Sequence, residues 1–129
     1  MTLLPALATY LEGLGIAGPF PLGQVTDGTA TKWTLLQLVT PADNDNTRTH
    51  LFPTVQITFC RDTQGAAHSA AWTAYRALNR MGRLALTGSL TVTRSECPSQ
   101  PFPLGRDASS KRWRYSLDVN FALPYSAAI

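Results

Sequence analysis

The chain has 129 residues, which is enough for one ordinary domain and too few for two, so we expect a single domain over residues 1–129. Apolar residues make up 44% of it and charged residues only 15%. This composition excludes an intrinsically disordered chain and indicates that part of the surface is buried against partners. The net charge of +3 is mildly basic and lower than that of a dedicated nucleic-acid-binding domain.

The first third of the sequence predicts one helix followed by two strands. Leucines recur at helical spacing over residues 3–14. A short apolar stretch at residues 22–25 predicts a strand, and the Asp27-Gly28 pair after it is a hairpin-type turn signal. Residues 33–39 predict the next strand, whose two adjacent leucines indicate that both of its faces are covered.

A long polar loop separates this strand from the one after it. Residues 40–50 contain almost no apolar side chains, and loops of this length in compact domains are typically functional or disordered. Residues 50–62 return to strand-like alternation, with Val55, Ile57 and Phe59 on the apolar face. We expect the two strands to pair across the loop and to form a protruding hairpin.

The second half of the chain predicts a helix, several short strands and one long final strand. Alanines form a stripe along a helix over residues 63–81, which permits close approach to a sheet, and Gly82 ends that helix. Strands follow at residues 84–87 and 89–96, and a proline-rich connector at residues 97–103 leads toward the final strand. The order of elements predicts an α+β domain, a mainly antiparallel sheet with two helices packed on one face.

The final strand has the most regular pattern in the chain. Apolar and polar residues alternate along it, so one face is expected to be buried and the other to face solvent. The residues before it, 105–110, have the composition of a turn. The buried face is assigned to Trp113, Tyr115, Leu117, Val119, Phe121 and Leu123, and the solvent-facing side to Arg112, Arg114, Ser116, Asp118 and Asn120.

No group of residues has the pattern of a catalytic or metal site. Cys60 with His50 or His68 is the only Cys/His set for nucleophilic catalysis, but Cys60 lies out of phase with the apolar face and no motif places either histidine. Cys60 and Cys97 are too far apart in sequence for a typical zinc site and are expected to be free thiols. Residues 43–46 begin like a calcium loop but lack its later ligands. We therefore expect no enzyme activity, no cofactor and no metal.

The hydropathy pattern favours a protein without a membrane segment. The N-terminus lacks the basic region of a signal peptide, and Pro5 interrupts its apolar start. No apolar run approaches the roughly 20 residues that a membrane-spanning helix needs. We therefore expect no association with a membrane.

Basic residues cluster around the last turn and strand, and two interpretations of them stay open. Interleaved cations and aromatic residues are typical of a nucleic-acid-binding face. However, the aromatic residues lie on the predicted buried face of the strand and the arginines on its solvent-facing side. The first interpretation is therefore a solvated or subunit-facing surface, and the second is non-specific contact with DNA. The cations are Arg94, Arg106, Lys111, Arg112 and Arg114, and the nearby acids are Glu96 and Asp107.

The C-terminal stretch also resembles a known family. A proline-flanked Phe102 precedes Leu104-Gly105-Arg106-Asp107, and a short polar spacer leads to Arg112-Trp113, an aromatic-polar strand and Asn120-Phe121. This sequence pattern is similar to the C-terminal signature of the tail-terminator type of minor capsid protein in long-tailed phages. The N-terminal helix, the long-looped hairpin and the alanine-rich helix resemble the layout of the same family.

The resemblance implies a structural virion protein. It would form a homo-oligomeric ring, a hexamer, on the last ring of tail tube protein, stop further polymerisation and offer the surface that joins the head–tail connector or neck protein. DNA would pass through its lumen without sequence-specific binding. The protein would lie in the tail or neck of a virion assembled in the host cytoplasm, and the family has no catalytic residues to carry over.

Two segments are expected to carry the interfaces. The loop at residues 40–50 would reach a neighbouring ring or subunit, and residues 104–114 would line a subunit contact or the lumen. The alternatives are another neck or head-completion protein and, from a different class, a small nucleic-acid-binding module whose DNA affinity depends steeply on salt. The residues assigned to the interfaces are Asp43, Asp45, Arg48, Arg106, Asp107, Lys111, Arg112 and Arg114.

Overall fold

The fold is described here from a computed structural model, which covers residues 2–23, 32–40, 50–108 and 110–124. Two helices and a mostly antiparallel sheet confirm the predicted α+β class. The elements in chain order are α1 (Leu3–Gly13), β1 (Trp33–Thr40), β2 (His50–Leu51), β3 (Thr54–Arg61), α2 (Gln64–Leu78), β4 (Leu84–Thr87), β5 (Leu90–Val92), β6 (Arg94–Glu96), β7 (Phe102–Arg106) and β8 (Trp113–Pro124).

Strand β8 is the centre of the main sheet because it pairs antiparallel on both of its sides. On one side it pairs with β2 and β3, and on the other with β6 and β7. Strand β1 pairs with β3, whereas β4 and β5 form a separate two-stranded sheet. The predicted pairing of the strands that flank the 40–50 loop is therefore confirmed, and residues 41–49 of that loop lie outside the described residues.

The predicted strand over residues 50–62 is interrupted by Phe52 and Pro53. Proline has no N–H to donate to a ladder, although the carbonyl of Pro53 still accepts from the Phe121 N–H at 2.9 Å. The pairs His50↔Pro124 and Thr54↔Asn120 keep one register against β8. Strands β2 and β3 are thus one strand with a two-residue break.

The C-terminal end of α2 lies earlier than predicted. The helix ends at Leu78, because its C-cap Asn79 is extended and Arg80 has a left-handed backbone with φ 55°. Met81 therefore leaves the helix and forms a bridge with Ser95 in β6. The predicted strand over residues 89–96 is likewise two strands, since β5 turns back onto β4 while β6 pairs with β8.

A strand that was not predicted, β7, begins at the end of the proline-rich connector and continues through Gly105 and Arg106, which were predicted to lie in a turn. Pro103 lies within it, and proline is tolerated in a strand that pairs on one side only. The register against β8 shifts between Pro103 and Gly105, which has a left-handed φ of 90°. This geometry is that of a β-bulge, where glycine avoids the steric cost of a side chain.

The predicted strand at residues 22–25 runs, in its described part, parallel to β1. Leu22 forms a parallel bridge with Leu36, and the Leu36 N–H donates to the Pro21 carbonyl at 3.0 Å. A tight hairpin requires antiparallel strands, so the expected hairpin with β1 does not form here. The Asp27-Gly28 pair lies outside the described residues.

The hydrophobic core lies between the two helices and one face of the sheet, so the predicted packing on one face is confirmed. Helix α1 buries three leucines there, and the predicted alanine stripe of α2 is fully buried from Ala67 to Ala74. Small side chains let this helix approach the sheet closely. The sheet contributes Leu36, Val55, Ile57, Phe59, Tyr115, Leu117, Val119, Phe121 and Leu123.

The opposite face of the sheet, which we call the outer face, is less exposed to solvent than predicted. Asn120 is exposed as expected, but Ser116 is completely buried. Its register neighbours are Thr58 on β3 and Phe102 on β7, and cross-strand neighbours lie close enough to shield a short side chain. Leu35, on the same face, is also buried, so both faces of β1 are covered at Leu35 and Leu36 as expected, whereas Leu38 and Val39 near the end of the strand are exposed.

Candidate functional site

The turn that joins β7 to β8 is the part of the predicted interface that the structure defines in most detail. The Asp107 N–H donates to the Arg112 carbonyl at 2.8 Å, and the Lys111 N–H donates to the Asp107 carbonyl at 2.7 Å. The Ser110 hydroxyl donates to the Asp107 carboxylate at 2.9 Å. Lys111 has a left-handed backbone with φ 59°, which is uncommon for a residue other than glycine. The turn is therefore held in shape by its own hydrogen bonds.

Positive charge is concentrated around this turn. Arg106 and Lys111 are exposed, whereas Arg112 and Arg114 are half-buried. These four cations and Asp107 give residues 104–114 a net charge of 4 − 1 = +3, which equals that of the whole chain. The structure thus brings these five predicted interface residues into one hairpin. The other predicted interface residues, Asp43, Asp45 and Arg48, lie outside the described residues.

Arg114 is half-buried, whereas the sequence analysis places it on a solvent-facing side of β8. It lies in register with Cys60 on β3 and Gly105 on β7, and its Nε is buried without a hydrogen-bond partner in the described part of the chain. The same is true of Ser116 Oγ and Asp118 Oδ1, at the next two outer positions of β8. Buried polar atoms without hydrogen-bond partners are few in folded proteins. These three atoms therefore set the outer face of β8 apart from the apolar core.

The outer edges of the sheet are protected against pairing with another strand at two places, beside Thr34 and Leu36 on β1 and along β7. The Thr34 N–H donates to the Pro19 carbonyl at 2.9 Å, so residues 19–23 occupy the free edge of β1. At the other edge, Pro103 lacks an N–H and the bulge at Leu104 distorts β7. Addition of a strand from another chain is therefore disfavoured at these two places.

Strand β7 exposes two large apolar side chains that are absent from the named interface residues, although Leu104 lies within the predicted interface segment 104–114. Phe102 is 39% exposed and Leu104 is 46% exposed. Adjacent exposed apolar residues are typical of an interaction surface when they form a patch. The signal that could have revealed them is the alternation of residues 102–106, which the prolines concealed.

A cavity of about 360 Å³ opens on the outer face at the far end of the sheet. Phe52 forms one wall, and its ring centroid lies 6.2 Å from that of His50. The walls are mainly apolar, so the cavity is suited to an apolar side chain. Its lining residues are His50, Phe52, Gly82, Thr93, Arg94 and Ala122.

The Cys/His set considered in the sequence analysis is not assembled. Cys60 is ten positions from His50 along the same strand path, roughly 30 Å at the usual rise per residue. His68 is on α2 and packs edge-on against Tyr115, on the core face, whereas Cys60 is on the outer face. Burial raises the pKa of the Cys60 thiol, even though Arg112 and other nearby arginines act to lower it.

The second cysteine is also a buried free thiol, as predicted. Burial, with a smaller contribution from Glu96 and Asp118, raises the pKa of Cys97 to about 12. At neutral pH the thiol is therefore protonated, and the thiolate is the form that reacts or binds metal.

The described residues also bear on metal binding and on membrane insertion. They contain no group of three or more His, Cys, Asp or Glu side chains arranged to hold a metal ion. None of the helices in the described ranges is both long enough and apolar enough to cross a membrane.

Comparison with known proteins gives a likeness of fold. No protein-family model matches the sequence, and no curated protein matches it. The fold is similar to that of a chain in a solved structure described as the virion of a native gene transfer agent particle. The two chains are 18% identical, the match covers 95% of each, and the TM-score is 0.55.

Proposed function

We propose that this chain is a structural protein of a phage-like virion and that it acts as a tail terminator. The observation that supports the broader statement is the likeness of fold to a chain of the gene transfer agent particle over 95% of both chains. The narrower role is supported by the resemblance of the C-terminal stretch from Phe102 to Phe121 to the tail-terminator signature. In this role the protein caps the tail tube, stops its polymerisation and provides the surface that joins the head connector or neck protein.

The ring is a hexamer in this proposal, and neighbouring copies use different surfaces of the chain. A closed ring forms when a heterologous interface is related by a rotation that closes. Because β7 disfavours an added strand but exposes the side chains of Phe102 and Leu104, these two residues are the first candidates for the subunit contact. The loop at residues 40–50, with Asp43, Asp45 and Arg48, is assigned to the contact with a neighbouring ring.

The proposal is tested by the native mass of the purified protein and by its effect on tube length. We expect rings with a central hole in negative stain, with a hexamer mass by light scattering. When added to polymerising tube protein, the chain should stop growth and sit at tube ends. If it neither forms rings nor binds tube ends at any concentration, the tail-terminator role is wrong.

The loop assignment predicts a separation of capping from joining. Deleting residues 43–47 is expected to leave the circular dichroism spectrum and tube capping unchanged, because the pairing of β1 with β3 lies outside the deletion. Joining of capped tails to heads should fall at least tenfold in assembly extracts that lack the wild-type protein. The matched control replaces the same residues with an equal number of glycines and serines. Normal completion of particles with the deleted chain would refute the assignment.

A further inference from the structure

We propose that the tip of the β7–β8 hairpin is a phosphate-contacting element, which binds the backbone of double-stranded DNA through Arg106 and Lys111. This inference rests on the proposed function, because a ring around the DNA path would bring the hairpin close to the duplex. It goes further by naming the element, the chemical group that it contacts and the mode of contact.

The charge distribution supports this assignment. The hairpin tip has an excess of positive charge, and the one acidic residue within residues 106–112, Asp107, accepts the Ser110 hydroxyl inside the turn. Double-stranded DNA carries one negative charge per about 1.7 Å of its axis, so a compact cluster of cations meets several phosphates. Neutralising them releases counterions, and this release provides the affinity.

The geometry of the tip presents the two cations together. The Arg106 Nε donates to the Lys111 carbonyl at 3.4 Å, so the arginine side chain lies along the turn that carries the lysine. Both residues are exposed. Because the turn is already closed by hydrogen bonds from Asp107 and Lys111, little backbone entropy is lost when it binds a partner.

The same geometry indicates contact with phosphates and not with bases. Binding of single strands by stacking requires exposed aromatic rings. Tyr115 is buried in the core, and Trp113 is half-buried beside it on the core face. Phosphate contacts carry no sequence information, so the binding is expected to be independent of sequence, as passage of DNA through a ring requires.

The test compares two pairs of charge-removing substitutions. The variant Arg106→Gln/Lys111→Gln removes two cations from the hairpin tip. The matched control, Arg80→Gln/Arg83→Gln, removes two exposed cations beside Met81, which pairs with β6 at the other end of the sheet, roughly 25 Å away along β8. A third variant, Arg106→Lys/Lys111→Arg, keeps both charges and controls for the loss of side-chain packing.

Binding is measured as the fluorescence anisotropy of a labelled 30-base-pair duplex at several salt concentrations, on samples whose native mass is also recorded. The wild-type affinity should fall steeply with salt. The hairpin variant should show a log–log slope that is less steep by about 1 for each removed contact, hence by about 2, and about tenfold weaker binding at low salt. The control pair and the charge-keeping variant should retain the wild-type slope.

Three results would overturn the inference. The first is equal loss of slope in the hairpin and control pairs, which would indicate a general effect of net charge. The second is a wild-type protein that does not bind the duplex. The third is an unchanged salt slope of DNA binding together with loss of rings or tube capping in the hairpin variant. That result would indicate that the tip contacts an acidic surface of a protein and not DNA. Absence of both rings and tube-end binding, together with the expected change of slope, would instead refute only the tail-terminator role.

Discussion

Replacing Arg61 with methionine is expected to lower the free energy of unfolding by about 3 kcal/mol, because this buried guanidinium connects three parts of the chain. Only 5% of Arg61 is exposed. Its Nη1 donates to the carbonyls of Trp33 and Cys60 at 2.7 and 2.8 Å, and its Nη2 donates to the Ala17 carbonyl at 3.0 Å and the Thr34 hydroxyl at 2.9 Å. The arginine thus links the segment after α1 to β1 and β3.

Two opposing effects decide the size of this change. Burial disfavours the charged form and lowers the pKa of Arg61, so a methionine of similar length removes a desolvation cost. Against this, hydrogen bonds from a charged donor contribute about 1.5–3 kcal/mol each, and the substitution leaves oxygens such as that of Ala17 without this donor. Because four hydrogen bonds are lost together, we expect the free energy lost with them to exceed the free energy gained by removing the desolvation cost.

The measurement is thermal and urea unfolding of the single variant beside two controls. For a domain of this size, a loss of about 3 kcal/mol corresponds to a fall in Tm of roughly 10 °C. Arg61→Lys should be no more stable than Arg61→Met, since an ammonium group lacks the planar fork that reaches four acceptors. Thr34→Ser should lose only about 1 kcal/mol, because it keeps the hydroxyl and removes one buried methyl group. An Arg61→Met variant as stable as the wild type would show that the buried cation contributes no net stability.

The parts of the fold that were predicted correctly are those with a strong local pattern. The alanine stripe of α2 and the apolar phase of β8 depend on periodicity alone, and both are buried as expected except for Trp113, which is half-buried. The errors occur where a neighbouring strand decides the structure. Strand β7 contains Pro103, which opposes a strand locally, and it forms because β8 offers a partner with a complementary register.

The candidate site was predicted in part for the same reason. Turn chemistry and charge identified the residues from Arg106 to Arg114, because those signals are local. Burial of Arg114 depends on Cys60 and Gly105 facing it across two strands, and this cannot be derived from the sequence of β8 alone. The exposure of Leu104 likewise follows from a bulge that only the strand pairing defines.

Replacing Phe59 with alanine is expected to cost about 4 kcal/mol of stability, the largest effect among the substitutions considered. Phe59 is fully buried toward the C-terminal end of β3, between Thr34 on β1 and Tyr115 on β8, and faces the helices. Its removal leaves a cavity that regular strand pairing on both sides hinders from collapsing, and the lost contacts add to the transfer free energy. Urea unfolding with an unchanged m-value should show the loss directly.

Phe102→Ala is the matched control, because it makes the same chemical change at a side chain that is 39% exposed on β7. We expect its stability to stay within about 1 kcal/mol of wild type, since much of the ring is already in contact with water. If Phe102 belongs to the subunit contact, however, the same substitution should shift the native mass from rings toward monomers at a given concentration. Rings of wild-type stability in Phe102→Ala would exclude this residue from the contact. A large loss of folding stability in Phe102→Ala would show instead that β7 is part of the core. The pair therefore separates residues that hold the subunit together from residues that join it to its neighbours.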